Sequence, residues 1–251
     1  MTVVTTALEI AVASPAGARA ALEGGADRVE LCVGLELGGL TPSQGLIEAV
    51  ALGGLPAHVL IRPRPGDFAF DSDDVALMER ETRAAVSSGA AGVVIGALTA
   101  TGELDVAVVE RLVAAAHSTR AGATVTFHRA IDQAVDPVAL VRALAGLGVD
   151  RVLTSGSASR AIDGATTLAR VVEAAGSVEV MAGGGVSPAD IPALVELGVD
   201  AVHLSAKRPA ARRGGRWVSL GAAAAEPDTY FETDPTVVRA ARLALSVAPR
   251  A

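Results

Sequence analysis

The chain has 251 residues, 51% of them hydrophobic but only 2% aromatic, and a formal charge of −7 at pH 7. That length suits one α/β barrel with a large core of Ala, Val, Leu and Ile, and the acidic balance argues against a nucleic-acid or anionic-membrane surface. A lone cysteine, Cys32, excludes an intrachain disulfide framework and fits a reducing cytoplasm, the start MTVVTTALEIAV lacks a signal peptide's basic region, and no run nears the ~20 apolar residues of a membrane span.

Strand candidates recur at steady spacing over residues 7–12, 28–32, 58–62, 92–97, 124–129, 151–155, 178–182 and 201–205. Helices fall between them. Ser14-Pro15 opens the first, Thr41-Pro42 the second, Asp136-Pro137 the fifth and Ser187-Pro188 the seventh, each pairing a capping side chain with a proline at the first helical position. Residues 71–88, 105–117 and 160–175 supply the third, fourth and sixth, and 234–247 the last.

Four helix-to-strand joints share one pattern, a glycine turn running into a β-rich stretch. They are GGADRVEL (24–31), SGAAGVVIGAL (88–98), LGVDRVLTSG (147–156) and LGVDAVHLSA (197–206). A helix that stops at glycine and feeds directly into a strand implies parallel strands, since a parallel pair needs such a crossover. Eight βα units predict a TIM (β/α)8 barrel, one domain over residues 1–251, with a doubly wound open sheet as the alternative. Residues 207–233 read as an elaborated loop over the barrel mouth. Its Arg208, Arg212, Arg213 and Arg216 are either a solvated basic cluster or help for an anionic ligand.

Strand alternation places Glu9 between Leu8 and Ile10, and Glu30 between Val29 and Leu31, so both carboxylates point into the barrel. The same parity sends Arg62, His128 and His203 inward, with Thr126 and Ser205 on the same face of their strands. Buried charges are costly, and a barrel that needs only stability fills its centre with Val, Ile and Leu. Either these groups form a site, or they are a self-satisfied ionic plug in which Glu9 or Glu30 pairs with Arg62. Glu9, Glu30, His128 and His203 are the candidate catalytic set. The strand-end loops add Arg62, Arg64, Asp67, Arg129, Thr154, Ser155, Gly183, Gly184 and Ser205 as a candidate substrate-binding set. A Gly-rich turn after strand seven suits an anion cradled by backbone N–H groups. His58, at a strand start, and His117, near a helix end, read as structural. Cys32 shares the parity of Glu30 and reads first as a small buried thiol.

These residues sit in motifs that resemble the CutC family: LEI at 8–10, GGADRVELC at 24–32, GGLTPS at 38–43, IRPRPGDF at 61–68, TFHRA at 126–130, RVLTSG at 151–156 and MAGGGV at 181–186. The resemblance implies a cytosolic, homodimeric TIM barrel tied to copper homeostasis, with copper as its ligand and Cys32 as the family-matching thiol. Ala11 stands where family members often carry a second Cys, and the only thioethers are Met1, Met78 and Met181. Copper(I) prefers sulfur ligands.

Two functions follow. One is copper handling through Cys32 and the inward histidines. The other is an enzyme acting on a small phosphorylated or carboxylated substrate, with Glu9 or Glu30 as general base, His128 as acid or electrophile, and Arg62 and Arg64 on the anion.

Overall fold

Aliphatics that alternate with polar residues along a strand need a different neighbour on each face, and the structure supplies both. It is a computed structural model and describes residues 6–210 and 230–248. Eight parallel strands pair in chain order and close into a barrel. They are β1 (Ala7–Val12), β2 (Arg28–Leu31), β3 (Ala57–Leu60), β4 (Gly92–Ile95), β5 (Thr124–Phe127), β6 (Arg151–Thr154), β7 (Glu179–Gly183) and β8 (Ala201–Leu204). β8 returns to β1 in register, Glu9 opposite His203. The predicted TIM barrel stands, and the open sheet is excluded.

The helices are α1 (Pro15–Glu23), α2 (Gln44–Ala51), α3 (Ser72–Ser87), α4 (Val106–Thr119), α5 (Pro137–Leu144), α6 (Ala165–Ala174), α7 (Ile191–Glu196) and α8 (Pro235–Val247). Leu8, Ile10, Val29, Leu31, Val59, Ile61, Val93, Ile95, Val125 and Phe127 belong to one continuous core between the sheet and these helices. Two smaller clusters, Cys32–Leu60–Val94 and Leu153–Met181–Ala201, carry the opposite strand parity and fill the barrel.

Helix starts follow the capping rules where the capping side chain is free. Ser14, Asp71, Asp105, Asp136 and Asp234 each accept a first-turn N–H, worth about 1 kcal/mol apiece. Two expected starts are corrected. Thr41 does not open α2, because its hydroxyl donates to Glu81 and accepts from the Arg62 N–H, so Ser43 caps instead. Ser187-Pro188 does not open α7 either. The Ser187 hydroxyl and N–H both bond Asp190 in a closed turn, and the helix begins after Asp190. The sixth helix is split into a 3₁₀ turn, Ala161–Gly164, and α6. At the four repeated joints Gly25, Gly89, Gly148 and Gly198 all have φ between 75° and 98°, as a left-handed helix end requires.

Within the 207–233 stretch, β9 (Lys207–Pro209) and β10 (Phe231–Thr233) pair as an antiparallel ribbon. Arg208 meets Glu232 at 3.5 Å there, while Arg212, Arg213 and Arg216 lie outside the described residues.

Candidate functional site

The floor of the barrel is ionic. Glu9 is fully buried and accepts from Arg28 Nε at 2.7 Å and, through its other oxygen, from His203 Nδ1 at 2.9 Å. Burial opposes its charge, but the bond and charge of His203, with Arg28 and His58, hold Glu9 well below the usual carboxylate range. Because Glu9 is ionised, His203 is the donor, and the Glu9 bond, with Glu30 nearby, outweighs burial to keep that imidazole above its ordinary value. His58 bonds Thr124 at 2.9 Å, and burial pushes it down to about 4. Thr126 accepts from Arg151, which also pairs with Glu179.

Above this floor opens a cavity of about 230 Å³ at the carboxyl ends of the strands, the functional end of such a barrel. Glu30, Cys32, Arg62, Phe68, His128, Arg129, Gly184, Gly185, His203 and Ser205 are among its lining residues. Three of its side chains are more than nine-tenths buried yet incompletely partnered. Glu30 has no hydrogen bond or ion pair among the described residues, and burial, reinforced by Glu9 and only partly offset by His203, raises it to about 7. His128 accepts the Ala130 N–H on Nδ1 at 3.1 Å, which places its proton on Nε2, and that nitrogen has no partner. Burial and the Arg62 charge push His128 down to about 3, so it stays neutral. Among the described residues the Arg62 guanidinium donates only to carbonyls, those of Leu37, Gly39 and Gly66 at 2.9–3.0 Å, and its buried Nε bonds nothing.

Among the described residues Arg62 therefore has no carboxylate partner, so the ionic-plug alternative does not form through it. Arg28 supplies that plug. The Phe68 ring stands 5.1 Å from the Arg62 guanidinium carbon and 4.7 Å from the His128 ring. Two inward glycines, Gly92 of β4 and Gly96 just past its end, make room for imidazoles: a Cβ on Gly96 would collide with His128, and one on Gly92 with Thr124 and, at 2.8 Å, with His58.

The other expected residues scatter. Glu9 lies below the cavity, locked in its pairs. Arg64 turns away to Asp74 at 2.9 Å and Asp67 at 3.2 Å, and neither Arg64 nor Asp67 lines the cavity. Thr154 and Ser155 are fully buried and tied to Asp132, which accepts from the Thr154 hydroxyl, the Ser155 N–H and hydroxyl, the Ser157 N–H and Arg129 Nε. Gly183 packs against Leu153 and His203 below the rim, leaving Gly184 and Gly185 to face the cavity. Sequence reasoning missed Arg28, whose parity with Glu30 was a usable signal. It also missed Asp132, most of whose partners lie 22 to 25 residues away; the Arg129 pair, three residues off, was its one local signal.

Copper(I) does not suit this donor set. Cys32 is the one sulfur on the cavity wall, and burial, with Glu30 and Glu36 nearby, pushes its thiol far above the ordinary range. Met181 Sδ already accepts from Arg28 at 3.4 Å. Ligand-capable atoms of Glu9, Glu30 and His203 come within 4.8 Å of one another, but both oxygens of Glu9 are engaged.

The chain resembles proteins already described. A CutC family protein of Sinorhizobium medicae is 52% identical over 98 residues, 39% of this chain and 40% of that protein, so the match spans well under half of the relative. A solved protein described as a CutC copper homeostasis protein, from Streptococcus agalactiae, superposes with a TM-score of 0.73 at 28% identity, covering 80% of this chain and 98% of that one. Thiamine phosphate pyrophosphorylase from Pyrococcus furiosus, at 14% identity and a TM-score of 0.57 over 97% of this chain and 96% of that one, shares the fold alone. The CutC family pattern matches residues 6–208, and on that match the chain belongs to the CutC family.

Proposed function

We propose that this protein is an acid–base enzyme acting on a small anionic substrate held in the barrel mouth. One observation carries the reading: a buried carboxyl, Glu30, and a buried imidazole, His128, line one cavity, and among the described residues Glu30 has no hydrogen bond and His128 Nε2 no partner. Buried polar groups are normally satisfied, and exceptions of this kind mark sites where a ligand supplies the missing bond. The Arg62 cation, ringed by carbonyls and without a carboxylate, favours an anionic ligand, and Arg129 with Gly184 and Gly185 extends that preference along the rim. Glu30 serves as the proton-transferring group, with the Glu9–His203 pair beside it as a proton reservoir.

The family name suggests copper handling, and the donor set described above does not support a copper(I) site. A single buried, reduced thiol fits the cytoplasm.

Titration calorimetry with inorganic phosphate and malonate tests the anion reading. At least one of them binds the wild-type chain and binds Arg62→Ala at least tenfold more weakly. No binding of either to wild type overturns the proposal.

A further inference from the structure

Resting on that reading of the site, we infer that its reaction is abstraction of a proton from a carbon next to a carbonyl, with Glu30 as the base and the neutral Nε2–H of His128 as donor to the carbonyl oxygen, in a short substrate that ends in an anionic group. The first support is what His128 can do. Its Nδ1 lone pair is occupied by the Ala130 N–H, so the ring has no free basic nitrogen and acts only as a donor. A neutral donor suits an oxygen that becomes an enolate, because it stabilises the developing charge without surrendering its proton outright.

The second support is what the nucleophiles cannot do. Ser155 and Thr154 are bound to Asp132, Cys32 is a buried thiol whose ionisation is disfavoured, and Ser205 has no hydrogen bond to a base, so among the described residues none of these is activated for covalent attack. Among the described residues Glu30 is the one acidic side chain lining the cavity, and it has no hydrogen bond there. Size agrees as well. At about 230 Å³ the cavity is at the small end for a ligand pocket, which suits a short compound with one phosphate or carboxylate.

The step balances without an oxidant or reductant. The C–H bond breaks and its proton moves to Glu30. Its electron pair forms a C=C bond while the carbonyl π pair moves onto oxygen, which accepts from His128. Return of the proton to the same carbon gives exchange. Return to the adjacent carbon, after the neighbouring hydroxyl proton shifts between oxygens, interconverts an aldose and a ketose.

The test is proton NMR in D₂O on the full chain with dihydroxyacetone phosphate, hydroxypyruvate and hydroxyacetone as probes. The wild type is expected to wash out α-protons of at least one anionic probe tenfold or more faster than Glu30→Gln, an isosteric change, and faster than those of uncharged hydroxyacetone. His128→Ala should lose about 10²-fold of that rate, with circular dichroism reporting whether it folds. If it does not fold, Glu30→Gln alone decides. Exchange no faster than in Glu30→Gln for every probe overturns the inference. In that event the calorimetric difference between wild type and Arg62→Ala still judges the anion-site reading by itself.

Discussion

Glu9 accepts a hydrogen bond on each oxygen, from Arg28 and from His203, so burial leaves it charged. Glu30 has neither donor and sits one strand away, so the same burial leaves it able to hold a proton near neutrality. Stability should read both states. Arg28→Ala removes the closest cation from a fully buried carboxylate and is expected to cost about 3 kcal/mol in urea unfolding, the lower end for a broken buried pair because His203 remains. A loss under about 1 kcal/mol would mean that Glu9 is compensated from elsewhere.

Glu30 makes the opposite kind of prediction. Its carboxyl titrates at about 7 in the folded chain against 4.5 when free, so between those values the folded state holds a proton that the unfolded state has released. Its contribution to stability is full below 4.5 and is lost as the pH rises through 7, a change of about 3 kcal/mol. Glu30→Gln has no such loss. The stability of the variant relative to wild type should therefore rise from pH 5 to 8 and flatten above, while His58 and His128, which disfavour folding at low pH in both proteins, cancel from the difference. A flat difference would mean that Glu30, despite Glu9 and His203 beside it, titrates normally.

At the scale of the elements, the repeated joints hold an aspartate device. Asp27, Asp150 and Asp200 stand just ahead of β2, β6 and β8. Each gives its N–H to a carbonyl of the preceding strand, at Leu8, Val125 and Val180, and takes that residue's own N–H on a side-chain oxygen at 2.7–2.8 Å. The fourth joint has Ala91 there and keeps only the backbone half. Asp150→Ala should leave the Val125 N–H without its acceptor and cost about 1–3 kcal/mol in thermal or urea unfolding. An unchanged midpoint would show that water replaces the carboxylate.

The same scale explains what was legible in advance. The strands were readable because outward Leu, Ile and Val alternate with inward residues, and the aspartate caps because their acceptors bond locally. Strand ends were overrun by one or two residues, since Cys32, Arg62, His128 and Ser155 continue the parity just beyond the paired ladder. Thr41, Arg64 and Thr154 misled because their side chains answer to partners 10 to 40 residues away, Glu81, Asp74 and Asp132, whereas Ser187 misled because it closes a local turn on Asp190 instead of capping the helix.

For the molecule as a whole, the soft-ligand inventory bears on copper(I) binding. The chain has one Cys and three Met, and of the described ones Met78 packs among the helices while Met181 is taken by Arg28. Copper(I) binding should be weak in competition with a chelator and should vanish in Cys32→Ala. Tight stoichiometric binding that survives that substitution would reverse the assignment.

The bond between Glu9 and His203 joins residues 194 apart, on the first and last strands of the barrel, whereas Glu9 and Arg28 are only 19 apart. Closing the longer loop costs about 2 kcal/mol more in chain entropy, and every other strand pair is a sequence neighbour. The seam between β8 and β1 is thus the barrel contact of greatest sequence separation, which slows its formation, and the Glu9–His203 bond is built across it. Until the eighth strand is added Glu9 lacks its His203 donor, so the charge of this buried carboxylate is fully compensated only on ring closure.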